Sequence, residues 1–289
     1  MKKNNKKGCP FCNSSNICDG GIISAHPKFY RKNSVLMYCR GCFIRWICPS
    51  PNEKALSKIY SKIYHYNPSK FLDNLIYLYT LIELKSDLNL IKKFIKEGRV
   101  LDIGSGRGDF LHLFSDSWEK WVFDPYLSTQ ELAFAKKKVG LHVNDFNSLQ
   151  NYPQNYFDLI ILRNVIEHTM DFKNLITKVY FLLKRKGHLF IRTPNTDSVD
   201  FGVFRNNWYV IKMAGHVVFF NKISIKKYLE EAKLKVLFNQ GIFRSYFLSY
   251  NRSNNQKTHI FKKLLISGIF SLISPFLGEG GDLRVLAIK

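Results

Sequence analysis

Two pairs of cysteines near the start of the chain have the spacing of metal ligands. Cys9 and Cys12 form one Cys-x-x-Cys pair, and Cys39 and Cys42 form the second. Each pair can place two thiolates on one turn of backbone, and two such turns complete the tetrahedron that zinc prefers. Four thiolates leave no coordination position for water or substrate, so the sequence predicts a structural zinc rather than a catalytic one.

The segment between the two pairs leaves some choice of ligands. Residues 13–38 separate them, which is more than the roughly 15 to 20 residues usual between such pairs. Cys18, His26 or Cys48 could therefore replace one of the four cysteines.

A second segment, 100–110, has the composition of a ligand-binding loop. An apolar, β-branched run contains the acidic Asp102, and glycine then occupies every second position: Gly104, Gly106 and Gly108. Glycine allows a positive φ and lets a ligand approach the backbone closely. Leu111, Leu113 and Phe114 continue with a helical apolar pattern, so we predict a strand, a tight loop and a helix. The glycine spacing differs from the G-x-G-x-x-G of dinucleotide-binding loops and argues against NAD.

Further acidic and polar residues follow predicted strands. Asp124 ends the apolar run 121–124, and its carboxylate could accept both hydroxyls of a ribose. A third strand is predicted over 141–146, with Asp145 and Phe146 at its exit. The continuous apolar run of 156–164, typical of a parallel sheet covered on both faces, ends at Asn164.

These motifs and their order resemble those of class I S-adenosyl-L-methionine (SAM) dependent methyltransferases. The likeness covers nearly the whole chain: the loop at 100–110, the Glu167-His168 pair after the fourth strand, and the block 158–195. It implies an α/β fold, a Rossmann-like seven-stranded class I methyltransferase sheet, with a small N-terminal zinc ribbon like the leaders fused to bacterial methyltransferases. The cofactors it implies are SAM and structural zinc.

The resemblance also assigns roles to residues of this sequence. Asp124 would bind the ribose of SAM, Asp145 would meet the adenine amino group, and Phe146 would stack on the adenine ring. The remaining residues predicted to line the cofactor site are Asp102, Gly104, Gly106, Gly108 and Asn164.

Two histidines are the candidates for catalysis. Methyl transfer to oxygen needs an in-line arrangement and a base that takes the acceptor proton, and histidine suits neutral pH. His168 follows the fourth strand, and His216 begins a segment that resembles the family's His-x-x-x-Phe signature. The alternative for His168 is to cap a helix or hold Glu167, and for His216 to anchor an insertion.

The domain organisation is predicted from these motifs and the helical patterns between them. We expect a zinc ribbon at 1–50, a helical connector at 51–98 with a helix over 71–96, and a methyltransferase domain at 99–289. Within the domain, 196–224 would be an acceptor-side insertion and 260–278 a covering helix. The last segment is too short to span a bilayer and contains Pro275, although a membrane-surface helix or a partner interface stays open.

The net charge and the composition do not decide which class of molecule the protein binds. The 289 residues carry a formal net charge of +22, which would suit nucleic acid or an anionic membrane. The lysines are spread over many short runs, however, and genome bias in composition explains them equally well. Six cysteines without a preceding signal-peptide core indicate a reducing compartment, and we expect the cytoplasm.

Taken together, the sequence predicts methyl transfer from SAM to a small molecule. By resemblance, the expected acceptor is a sugar or glycolipid precursor of surface polysaccharide, with oxygen favoured; sugar C-methyltransferases also carry N-terminal zinc, which keeps carbon open. The alternatives are an RNA methyltransferase, which the charge permits, and a zinc-bearing binding protein with an inactive methyltransferase fold. We predict no transmembrane span.

Overall fold

The computed structural model describes residues 8–23, 34–51, 56, 70–106, 108–125, 149–213, 215–242 and 280–289. The strands in these residues are β1 (Ile17–Ile22), β2 (Val35–Cys39), β3 (Arg45–Cys48), β4 (Gly98–Ile103), β5 (Trp118–Phe123), β6 (Phe157–Arg163), β7 (Leu183–Pro194), β8 (Val218–Phe219), β9 (Lys235–Ile242) and β10 (Asp282–Ile288). The helices are α1 (Lys70–Lys92), α2 (Phe172–Leu182), α3 (Val199–Phe204), α4 (Tyr209–Lys212) and α5 (Lys222–Glu231).

The larger sheet is a mixed sheet with helices on both faces. Its six described strands lie in the order β5-β4-β6-β7-β10-β9. The first four are parallel, and β10 is antiparallel to both of its neighbours. This arrangement confirms the predicted α/β, Rossmann-like methyltransferase fold.

The alternation of side chains along β6 explains the layers. Leu159 and Ile161 belong to the apolar cluster under α1, whereas Ile160 and Leu162 belong to the cluster that contains residues of α2 and α5. Successive residues of a strand point to opposite faces, so a strand covered on both faces must be apolar throughout. All four side chains are fully buried.

Several predicted elements lie outside the described residues. These are the third strand at 141–146, the covering helix at 260–278 and most of the connector before α1. Helix α1 ends at Lys92, earlier than the predicted 71–96, and β4 begins at Gly98 with a φ of +128°.

The predicted helix after the glycine loop is wrong. Only the single 3₁₀ turn Leu111–Leu113 forms there, because the chain enters β5 already at Trp118. Leu111 and Phe114 are buried, as the apolar pattern required, but they pack from a turn.

The smaller sheet combines strands from two distant parts of the sequence. Its strands lie in the order β1-β2-β3-β8, so three strands from the N-terminal region pair with one from the 196–224 segment. Trp46 of β3 pairs with Val218 of β8, and the Ile47 amide donates to the Val217 carbonyl at 3.0 Å. Within the described ranges, no helix has the length and apolar character to cross a membrane.

Candidate active site and metal centre

The glycine loop after β4 has the conformation expected of a ligand-binding loop. Its glycines have positive φ values of +72°, +52° and +74° at Gly104, Gly106 and Gly108. A Cβ at Gly104 would come within 2.5 Å of the Val165 side chain, so this position excludes other residues sterically. Among the residues that the structure describes, a Cβ at Gly106 would meet nothing within 4 Å. The loop therefore packs on one side and leaves open space on the other, which is room for a ligand.

Two buried carboxyl groups stand beside this loop. The Asp124 carboxylate accepts a hydrogen bond from the Gly106 amide at 3.0 Å, which fixes the loop to the end of β5. Burial raises the pKa of Asp102 to about 8; the nearby Arg163 guanidinium opposes the rise, and the charge of Asp124 adds to it. A cation or a ribose diol at this position would satisfy both carboxyl groups.

Asn164 extends the same edge of the sheet. It follows β6 with a φ of +55°, and its amide donates to the Arg192 carbonyl at 2.8 Å. Its side-chain Oδ1 is buried and has no hydrogen-bond partner among the residues that the structure describes. An orphaned acceptor beside the glycine loop is what a bound ligand would satisfy. Asp145 and Phe146, predicted to hold the adenine, lie outside the described residues.

The two histidines predicted to be catalytic meet in space. His168 lies in the 3₁₀ turn Ile166–His168 after β6, and its ring centroid lies 4.7 Å from that of His216 in an edge-to-face arrangement. Burial lowers the pKa of His168 to about 4, and a hydrogen bond to the Gly215 backbone opposes this shift. The imidazole of His168 is therefore neutral at physiological pH.

A carboxylate that the sequence analysis did not select completes this group. Glu167 is fully buried, and its Oε2 accepts a hydrogen bond from the Thr193 hydroxyl at 3.0 Å. Ligand atoms of Glu167, His168 and His216 all lie within 4.8 Å of one another. We call these three residues the histidine cluster. The signal for Glu167 was its place directly after an apolar strand and next to His168, whereas nothing in the sequence pointed to Thr193.

The four predicted cysteine ligands also come together, and we call them the cysteine cluster. The Sγ atoms of Cys9 and Cys42 lie 3.6 Å apart, and those of Cys12 and Cys39 lie 3.5 Å apart. Sulfurs at about 2.3 Å from one zinc ion, arranged as a tetrahedron, would lie about 3.8 Å apart, so the four thiols fit that ion.

Both cysteine turns repeat one backbone design. The amides of Asn13 and Phe43 donate to the carbonyls of Cys9 and Cys39, and both residues have a positive φ near +60°. Cys18 and Cys48, two of the alternative ligands, lie outside the cysteine cluster. The third alternative, His26, falls outside the described residues.

Aromatic and cationic contacts join the cysteine-bearing segment to the large sheet. The Phe11 ring lies 5.1 Å from that of Phe172, at the start of α2, and 5.7 Å from that of Trp46. Arg45 of β3 donates to the Thr196 hydroxyl at 3.0 Å and stacks over the Phe201 ring at 4.8 Å. The segment therefore shares a core with the elements that carry the histidines.

A buried network of charges fixes the strands beneath the candidate site. Arg192, near the end of β7, forms ion pairs with Asp87 at 3.0 Å, Asp282 at 3.0 Å and Glu83 at 2.6 Å. Asp87 also pairs with Arg163, at the end of β6, at 3.2 Å. These contacts tie α1 to three strands, and an arginine directly after the apolar run 189–191 was their signal in the sequence.

Comparison with known proteins agrees with this geometry. The sequence profile of the methyltransferase domain family matches residues 77–238. Phosphoethanolamine N-methyltransferase 3 of Arabidopsis thaliana is 27% identical over 206 residues, which are 61% of this chain and 41% of the relative. The chain thus matches less than half the length of that curated relative.

Two solved structures illustrate the shared fold. A SAM-dependent methyltransferase from Archaeoglobus fulgidus has 21% identity and a TM-score of 0.52, with 72% of this chain and 93% of that one covered. Burkholderia thailandensis 1,6-didemethyltoxoflavin-N1-methyltransferase has 13% identity and a TM-score of 0.55, with 89% and 95% covered. Since the family profile spans more than half of the sequence, the chain belongs to the methyltransferase domain family and has the fold of the class I SAM-dependent methyltransferases.

Proposed function

We propose that the protein transfers the methyl group of SAM to a small-molecule acceptor, in the first place a hydroxyl group of a sugar or glycolipid precursor of surface polysaccharide. The observation that carries the proposal is the contact between the glycine loop and the turn that bears the histidines. The Val165 side chain fills the space where a Cβ of Gly104 would lie, so the glycine loop contacts the residue that precedes the turn Ile166–His168, at the carboxyl ends of β4 and β6. Ligands bind at this edge in open α/β sheets.

The cofactor half of the site would be formed by residues around the glycine loop. SAM, when bound, supplies an electrophilic methyl group on a sulfonium ion. Asp124 would accept the ribose hydroxyls, Asp102 would face the positive charge of the amino-acid part, and Asn164 Oδ1 would accept one further hydrogen bond. The predicted adenine contacts of Asp145 and Phe146 belong to the same proposal.

The acceptor half would be formed by His168 and His216. A neutral imidazole can accept the proton of a hydroxyl group while the acceptor oxygen is held in line with the methyl group. His168 is half-buried, and its ring lies edge-to-face against that of His216. Either ring could act as the base, with the other orienting it.

Two separate arguments support the class of acceptor. The names of two similar proteins, phosphoethanolamine N-methyltransferase and 1,6-didemethyltoxoflavin-N1-methyltransferase, denote small molecules. The narrower choice of a saccharide rests on the resemblance of the N-terminal segment to zinc-ribbon leaders. Because both names denote nitrogen acceptors, methylation of nitrogen or carbon is an outcome that the experiment must separate from methylation of oxygen.

The cysteine cluster would hold a structural zinc ion in the same proposal. Cys9, Cys12, Cys39 and Cys42 would complete its coordination and leave no position for a substrate. Its contribution would be to fix β3, which pairs with β8 beside His216.

Transfer of labelled methyl from SAM into a host extract tests the proposal. The full-length protein is incubated with the extract, which is then separated into RNA, protein, lipid-linked saccharide and small-molecule fractions. Label in the saccharide or small-molecule fraction supports the proposal, and mapping the methylated atom decides between oxygen, nitrogen and carbon. Label in RNA would overturn it and give the net charge of +22 a function. Asp124→Ala protein serves as the control for label that does not depend on this site.

A further inference from the structure

We propose that the histidine cluster binds one divalent first-row metal ion, which holds an oxygen of the acceptor beside the glycine loop. The inference rests on the proposed function and gives Glu167, His168 and His216 one common role. An imidazole that ligates the ion cannot accept the acceptor proton, so the ion would instead lower the pKa of the bound hydroxyl group, and water would take the proton.

The ligand set and its spacing carry the proposal. The three side chains offer one carboxylate oxygen and two imidazole nitrogens, all within 4.8 Å of one another. Ligand atoms at about 2.1 Å from a common ion lie roughly 3 to 4 Å apart, so small side-chain rotations would close the cluster on an ion. Two histidines and one carboxylate suit Mn²⁺, Fe²⁺ or Zn²⁺, and three protein ligands leave coordination positions open for an acceptor.

The surroundings of the cluster are those of a metal site. Histidine ligands usually donate their second ring nitrogen to a carbonyl group, and carboxylate ligands are usually hydrogen-bonded as well. His168 hydrogen-bonds to the Gly215 backbone, and the Thr193 hydroxyl donates to Glu167 at 3.0 Å. Both contacts orient the side chain that makes them.

Backbone hydrogen bonds also fix the positions of the three residues relative to one another. The Val217 amide donates to the Glu167 carbonyl at 2.9 Å, and the Val217 carbonyl accepts from the Ile47 amide of β3 at 3.0 Å. His216 directly precedes Val217, so its position relative to Glu167 and His168 is fixed by backbone hydrogen bonds. Such preorganisation lowers the entropy that a metal site loses when it closes.

The ion would also lie close to the cofactor site. Its open coordination positions would select an acceptor with an exposed oxygen, such as a diol. Val165, two residues before Glu167, touches the glycine loop, so the ion would lie next to the cofactor site.

Titration with Mn²⁺ tests the proposal, and the electron paramagnetic resonance signal of the free ion measures how much Mn²⁺ stays unbound. The full-length protein is first dialysed against a chelator mild enough to leave metal in the cysteine cluster, which elemental analysis verifies. We expect one Mn²⁺ per chain, and at least a tenfold rise in the dissociation constant in Glu167→Gln and His216→Asn. Thr193→Val removes one hydrogen bond at nearly constant shape and should raise the constant several-fold. Exposed His112→Asn is the matched control and should bind as the parent does.

The outcomes separate this proposal from the one on which it rests. Absence of Mn²⁺ binding, or an unchanged dissociation constant in folded Thr193→Val and Glu167→Gln, would overturn the metal site. Equal rates of methyl transfer with and without Mn²⁺ would also overturn it, while the proposed function stands. Binding of Mn²⁺ at one site without any transfer to small molecules or saccharides would support the site and refute the proposed function.

Discussion

The cysteine cluster and the histidine cluster both gather metal-ligating side chains, but they are built in opposite ways. The cysteine cluster consists of four thiols on two local backbone turns, and it would enclose an ion completely. The histidine cluster combines a carboxylate with two imidazoles from a turn after β6 and from the segment before β8. The first arrangement suits a metal that stabilises structure, and the second suits one that meets a substrate.

The two clusters are nevertheless connected through one strand. Cys42 lies three residues before β3, and β3 pairs with β8 directly after His216. Unfolding of the cysteine-bearing segment should therefore weaken acceptor binding near His216 more than cofactor binding at the glycine loop. Four substitutions test this comparison.

Replacement of a cysteine ligand should have the largest effect. We expect Cys39→Ser to lose bound zinc and to lower the melting temperature by about 10 °C or more, because metal binding contributes directly to folding free energy. Elemental analysis and thermal unfolding measure the two effects. Cys18→Ser, outside the cluster, should retain zinc and stability; full zinc content in Cys39→Ser would remove that residue from the ligand set.

Replacement of Asp124, the predicted ribose ligand, should lower the affinity for SAM without changing zinc binding. Asp124→Ala removes a charged acceptor and the anchor of the Gly106 amide, and we expect SAM affinity to fall roughly 100-fold. Calorimetry measures this affinity, and zinc content should not change. Asp116→Ala, in the exposed loop before β5, is the control. If Asp124→Ala bound SAM like the parent, the ribose assignment would be wrong.

Replacement of Arg45 should weaken acceptor binding without affecting the zinc content of the cysteine cluster. Arg45→Met removes the hydrogen bond to Thr196 and the stacking on Phe201. We expect KM for the acceptor to rise about tenfold, a change of about 1.4 kcal/mol, while SAM affinity and zinc content stay constant. Steady-state kinetics with the acceptor found by labelling measure the effect, with exposed Arg40→Met as the control. A loss of zinc in Arg45→Met would show that this residue supports the cysteine cluster instead.

The same contrast explains what could be predicted from the sequence. Cys-x-x-Cys turns and the glycine loop are local, so residue type and spacing suffice to place their members together, and the apolar runs of β4 and β6 suffice to predict buried parallel strands. Glu167 and His216 approach each other because the Val217 amide pairs with the Glu167 carbonyl. No local pattern encodes that pairing.

Charges and apolar patterns misled for a similar reason. Glu83 and Asp87 are charged residues of the largely apolar helix α1, yet both pair with Arg192, which comes from a distant strand. After the glycine loop, Leu111 and Phe114 had helical spacing and are buried. The short distance to β5 nevertheless left room for only one turn, and such constraints come from tertiary connections.

The smallest expected effect is that of replacing Asp102, which is buried close to the carboxyl group of Asp124. Its pKa of about 8 in the folded protein exceeds the ordinary value of 3.8, so folding favours the protonated form. Stability should therefore fall as the pH rises from about 4 to about 8. Asp102→Asn mimics the protonated carboxyl and should escape this loss, so its gain over the parent should be larger at pH 8.5 than at pH 5 by about 1 kcal/mol or more.

Urea unfolding of parent and Asp102→Asn at these two pH values measures the difference. Because SAM brings a cation to this position in the proposed function, the same variant should bind SAM more weakly while it is the more stable protein. Equal pH dependence in both proteins would mean that Asp102 keeps its charge in the folded state, and the carboxyl would then be ready for a cation before any ligand arrives.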